Sequence, residues 1–178
     1  MSELNNLKLE KKYVKKVDVF ILNQALHHCA NPSKLLKKMA IYLKKNGFIL
    51  IREPEISFFL KFLLFILDDE AWSFKVNIFN SEKNIFNPRS PWDANNATAR
   101  LLFHDEKKFN SYFPQYRVIK NELSEFLIFI NSGGVVQETF RIPVNKFIFS
   151  LLCYIDRLLI FLSPNVFALG RSVVLKKK

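Results

Sequence analysis

Glycine is nearly missing from this chain of 178 residues, which has four glycines against nineteen phenylalanines. Backbone turns that let a phosphate or nucleoside approach closely are built from clustered glycines, so such a loop has almost nowhere to reside. Cysteine is equally scarce. Cys29 and Cys153 are too few and too widely spaced for a disulfide framework, which makes a reducing, cytoplasmic setting the expectation. His27, His28, Cys29, His104 and Cys153 have the atom types of zinc ligands without any ligand-pair spacing, so no metal is expected. Residues 1–16 are polar and lysine-rich and lack the apolar core of a signal peptide. Long hydrophobic runs are absent too. The stretch 56–67 would cover roughly 18 Å as a helix, against a hydrocarbon core of roughly 30 Å. The second apolar run, 147–162, is interrupted by Asp156-Arg157, which excludes spanning and leaves packing on a sheet or lying on a membrane surface.

What is present suits one domain over residues 1–178: hydrophobic residues make up 49% of the chain, enough for a core. The formal charge of +11 admits nucleic acid, anionic lipid or an acidic substrate as partner. The lysines are spread along the chain without interleaved aromatic residues, so nucleic-acid binding is not indicated and a solvated basic face is the plainer reading.

Val17 to Leu22 is a short apolar run rich in β-branched residues, as in a strand buried within a parallel sheet. Asn31 and Pro32 read as the cap and first position of a helix whose apolar side is Leu35, Leu36, Met39, Ala40 and Leu43, with Asn46-Gly47 as its stop. Phe48 to Ile51, closed by Arg52-Glu53-Pro54, reads as a second strand, giving a strand–helix–strand unit. Residues 71–99 lose periodicity around Trp72, Phe86 and Trp92, the composition of a covering loop, and 71–116 is expected to form a lid on the acceptor side of a pocket. A short helix is expected over 105–112, strand material over 117–130, a second apolar helix over 143–162 and a closing strand over 171–175.

The segment from Val17 through Asn23-Gln24-Ala25-Leu26-His27-His28 resembles the fourth strand and following turn of class I S-adenosylmethionine-dependent methyltransferases, the small-molecule type. Asn31-Pro32-Ser33 through Asn46-Gly47 is similar to that family's next helix, Phe48 to Glu53 to its fifth strand, and Phe167 to Leu175 to its closing strand. The resemblance implies an α/β fold: a partial Rossmann-like methyltransferase sheet, strands four to seven, parallel with an antiparallel closing strand, and helices on its faces. It implies a domain truncated at its N-terminus, without the glycine-rich loop and the ribose-binding acidic residue that hold the cofactor. The cofactor would be S-adenosylmethionine, met here only by Asn23, Gln24, Ala25 and Leu26 as a wall.

Asn23 and Gln24 stand where an open sheet places ligand contacts, or serve turn chemistry. His27 and His28 are the candidates for a general base on the acceptor, or pack. Glu53 faces substrate or bonds a backbone amide, while Trp92, Asp93 and His104 are candidate acceptor contacts, the indole alternatively anchoring its loop. The acceptor would be a small molecule, lipid or glycan. Without strands one to three, Val17–Leu22 becomes an exposed edge, which suggests a homodimer, a complementing N-terminal half, or a gene fragment. The alternative is a non-catalytic interaction or peripheral membrane module assembling through that edge.

Overall fold

The computed structural model describes residues 7–67, 71–87, 94–131 and 143–178. Its centre is a four-stranded sheet ordered β1-β2-β4-β3, comprising β1 (Val17–Asn23), β2 (Leu43–Pro54), β3 (Tyr116–Ser124) and β4 (Gly170–Lys177). β1 and β2 run parallel, in register from Val19↔Phe48 to Asn23↔Arg52. β4 lies antiparallel between β2 and β3. Pro54 and Ser124 both pair with Gly170, so the carboxyl ends of β1, β2 and β3 share one edge of the sheet. This is the Rossmann-like arrangement expected from the sequence, with an antiparallel closing strand.

The crossover between the parallel strands is α1 (Pro32–Tyr42). Asn31 caps it by accepting the Lys34 amide at 2.9 Å, a bond worth about 1 kcal/mol, and Pro32 occupies the first turn, where no amide is needed. Leu35, Leu36 and Met39 on its inner side join Leu22, Ile49, Ile51, Val173 and Leu175 of the sheet in the larger of two cores. α1 ends at Tyr42, earlier than Asn46-Gly47 suggests. The cause is Leu43, which is fully buried and whose backbone already pairs with Val17. Asn46 and Gly47 instead make an irregular passage inside β2. Asn46 is left-handed (φ 64°), and a β-carbon on Gly47 would lie 3.0 Å from the Asp18 carbonyl.

After β2 come α2 (Phe58–Leu67), α3 (Thr98–Phe103) and α4 (Glu106–Tyr112). Phe103, Phe109 and Phe113 are fully buried in the larger core, so this part of the expected lid is structural packing. Residues 71–87 and 94–97 bond to the segment between β1 and α1 and to the start of α1. Ser33 Oγ donates to the Ile78 carbonyl at 2.6 Å, the Ile85 amide donates to Ala30, and the Asn95 amide donates to the His27 carbonyl.

The strand expected over 117–130 stops at Ser124, and 127–131 turns into a short helix, α5 (Leu127–Asn131). Its start is capped by Asp156, whose carboxylate accepts the amides of Phe126, Leu127 and Ile128 at 2.9, 2.9 and 3.3 Å. Asp156 belongs to α6 (Lys146–Leu162), which is followed by α7 (Pro164–Phe167). α2, α5, α6 and α7 meet at the second core, where Leu60, Leu64, Phe126 and Phe129 pack with Leu159 and Phe167. Among the described residues no helix is long and apolar enough to cross a membrane.

Candidate functional site

Glu53 organises the region where β1 and β2 end. Its side chain is fully buried, and its carboxylate accepts the amides of Ala25 (2.8 Å), Leu26 (2.6 Å) and His27 (3.1 Å), while Oε2 lies 2.5 Å from His27 Nδ1. A buried carboxylate needs compensation of this kind, because leaving it uncompensated would cost several kcal/mol. The turn after β1 supplies it: Gln24 adopts a left-handed conformation (φ 51°) and donates its amide to the Arg52 carbonyl at 2.8 Å, which curls the following three amides toward Glu53. The carboxylate thus ties the end of β2 to the turn after β1 and fixes the His27 ring. His28 stacks beside it, with ring centroids 4.1 Å apart and a tilt of 40°.

Asn23 is exposed at the end of β1, Gln24 and Ala25 are half-buried, and Leu26 is fully buried in the larger core. The turn's amides at 24–27 are already paired within the protein, so what it presents outward is side chains and carbonyls. The turn itself contains no glycine: Gly47 and Gly170 both lie in strands, and Gly133-Gly134 falls outside the described residues.

Glu53, Ala25, Leu26 and His27 are brought into contact: of the two alternatives for Glu53, facing substrate or bonding a backbone amide, the structure displays amide bonds, three of them, with His27 Nδ1 alongside. His104 stands elsewhere. It is exposed just after α3, whose last carbonyl, Phe103, accepts from Asn121 on β3, the edge strand opposite β1. Trp92 and Asp93 lie outside the described residues. Arg52 pairs with Glu125 across β4, and Arg100 with Glu55 and Asn165, so both guanidiniums are engaged internally. Burial pushes the Glu125 carboxyl above the ordinary carboxylate range, against the opposing pull of Arg52. Cys29, fully buried beside the turn, has its thiol pushed up to about 12 by burial, which rules it out as a nucleophile near neutral pH.

One group that sequence reasoning missed lies close by. Glu55, two residues past Glu53, is buried and accepts Arg171 Nε at 2.6 Å and Arg100 Nη1 at 3.3 Å, while Arg171 Nη1 donates to Asn121 Oδ1 at 2.6 Å. A cleft of about 430 Å³ opens farther along the same edge, between the end of β3 and α6, and is lined by Glu125, Ile128, Asp156, Arg157 and Phe161 among others. Asp156 is occupied by the first amides of α5, and Glu125 pairs with Arg52 through Oε1 while its Oε2 is buried without a hydrogen-bond partner.

Parallel strands joined by a crossover helix, with polar residues gathered where they end, define a Rossmann-like α/β unit. Residues 3–51 match the family model described as a methyltransferase domain. The chain is similar to a SAM-dependent methyltransferase from Archaeoglobus fulgidus at 14% identity and a TM-score of 0.42, covering 93% of this chain and 61% of that one. It is also similar to the YcgJ protein from Bacillus subtilis at 15% identity and a TM-score of 0.44, covering 98% of this chain and 68% of the other. The chain thus spans 61% of the length of the first of these structures. No curated protein matches it.

Proposed function

We propose that the described residues form the acceptor-side half of an S-adenosylmethionine-dependent methyltransferase crevice, acting on a small-molecule, lipid or glycan acceptor. The observation that carries this reading is the Glu53 cluster, which holds the turn after β1 rigid at the carboxyl edge of two parallel strands, where open α/β sheets place ligands. Asn23, Gln24 and the outward side of Ala25 would meet the methyl-bearing end of the donor. The donor supplies an electrophilic methyl group when bound, and this chain's part is to position the acceptor. His27, buried and held by Glu53, and His28, half-buried beside it, are the candidates for taking a proton from an acceptor hydroxyl. Residues 71–87 and 94–97 act as the cover of this half-site.

Without a glycine-rich floor, donor affinity of this chain is expected to be weak, with a Kd on the order of 1 mM. Amide NMR titration with S-adenosylmethionine checks this. Millimolar-range shifts confined to residues 23–28 are the expected result. Absence of any shift there would defeat the methyl-transfer reading, and micromolar saturable binding would defeat the half-site reading.

One observation favours a second reading, a module that assembles through β1. β1 is one edge of the sheet among the described residues, and Val19 and Ile21 on one of its faces are 42% and 71% exposed. An edge of this kind pairs readily with another strand. Sedimentation velocity is expected to show self-association that Ile21→Lys abolishes. A chain that stays monomeric at all concentrations excludes this mode of self-pairing.

A further inference from the structure

α2 and α6 leave their second faces uncovered, and we infer that these two faces dock the protein on an anionic lipid surface. Along α6 the side chains Phe147, Leu151, Tyr154, Leu158 and Phe161 recur at alternating spacings of four and three, which places them on one side of the helix. All five are exposed, Phe147 at 77% and Phe161 at 83%. α2 repeats the pattern with Phe58, Phe62 and Phe65, the last 79% exposed. On their other sides, α2 buries Leu60 and Leu64 in the second core and α6 buries Asp156 and Ile160 and packs Leu159 against that core, with α7 in contact with both helices and Phe167 stacked 5.7 Å from Phe59. The outward faces are therefore surplus to folding, and apolar surface on this scale marks an interaction site.

Charge selects the occupant. The only acidic residue on either helix, Asp156, is buried and spent on capping α5, so the accessible charges of the two helices are Lys61, Lys146 and Arg157, all positive. Lys61 extends over the Phe74 ring, 5.3 Å from its centroid, which keeps an ammonium beside the aromatic face. The acidic run 68–70 follows α2 in sequence and lies outside the described residues. Pairing with another helix calls for charges of both signs flanking the apolar seam, which these helices lack. Phenylalanine and leucine flanked by cations match the boundary between acyl chains and anionic headgroups. Neither helix can cross the bilayer, so both lie in its plane. The start of α2, only a few residues past Glu53, places this surface next to the carboxyl edge of the sheet.

Flotation of the full chain with phosphatidylcholine vesicles, with and without phosphatidylglycerol, tests the inference and requires no methyl donor, so it stands or falls independently of the proposed function. The expected result is co-flotation with the anionic vesicles, reversed by salt. The triple variant Phe65→Ser, Phe147→Ser, Phe161→Ser should weaken partitioning by at least about tenfold. The pair Lys61→Gln, Arg157→Gln should weaken it by about fivefold per charge on anionic vesicles only. Because all the altered side chains lie at the surface, circular dichroism should stay that of the parent. A chain that remains in the dense fraction with both vesicle types overturns the inference. So does a dimer, seen by sedimentation, that the triple variant dissociates, since it would assign the faces to a second copy.

Discussion

Glu53→Ala is expected to lower the free energy of unfolding by about 3–5 kcal/mol, measured by urea denaturation at neutral pH. The size follows from what the substitution strands. Three turn amides, those of Ala25, Leu26 and His27, lose their acceptor, and the His27 ring loses the carboxylate at 2.5 Å. His27 and Glu53 are almost wholly shielded, so water cannot replace the lost bonds without opening the turn. Glu53→Gln keeps a carbonyl oxygen for one or two of the amides and surrenders the charge, so about half of that loss is expected. Both variants should also release His27, seen as loss of the downfield imidazole proton in the NMR spectrum. A loss below about 1 kcal/mol in Glu53→Ala would mean that the turn holds its shape without the carboxylate, and the rigid wall on which the proposed function stands would disappear with it.

The parts of this fold that were legible in the sequence are those fixed by neighbours along the chain. The β-branched run 17–22, the Asn31-Pro32 start of α1, the Asp105 start of α4 and the strand ending at Pro54 each follow from a periodicity or a cap within a few residues. Where the reading slipped, the deciding group was distant. α1 stops at Tyr42 because Leu43 pairs with Val17, and Asn46-Gly47, a sound local stop signal, is used inside a strand instead. The helical turn 127–131 looks like strand because its cap, Asp156, sits 29 positions from Leu127. The two apolar helices were legible as helices, but which of their faces would stay exposed depended on how little of α6 the second core takes up. At the site, the placement of Glu53 beside the turn 23–28 follows from two parallel strands of known ends. Its fourfold set of bonds does not, because the left-handed Gln24 that aims those amides has no sequence signal stronger than a polar residue after a strand.

Arg171→Met carries the other large expected effect, a loss of about 3–5 kcal/mol by the same urea measurement. Arg171 opens β4, is nearly inaccessible, and reaches Glu55 over 116 positions of sequence while also donating to Asn121 on β3. Removing it leaves the Glu55 carboxylate buried, with the longer 3.3 Å contact from Arg100 as its remaining cation. The cost therefore resides in the stranded charge and not in the methylenes, whose volume methionine largely restores. Glu55→Gln in the same chain removes that charge, so the double variant should be no less stable than Arg171→Met alone, and a double-mutant cycle should give a coupling of at least about 2 kcal/mol. Near-zero coupling would assign the loss to packing against β3 and release Glu55 from a structural role. A large coupling would establish that the sheet edge bearing Glu53 is braced from below by a second buried carboxylate. The turn at 23–28 would then be rigid because two neighbouring acids on one strand end, Glu53 and Glu55, are each neutralised by a different part of the chain, the first by amides after β1 and the second by guanidiniums from β4 and α3.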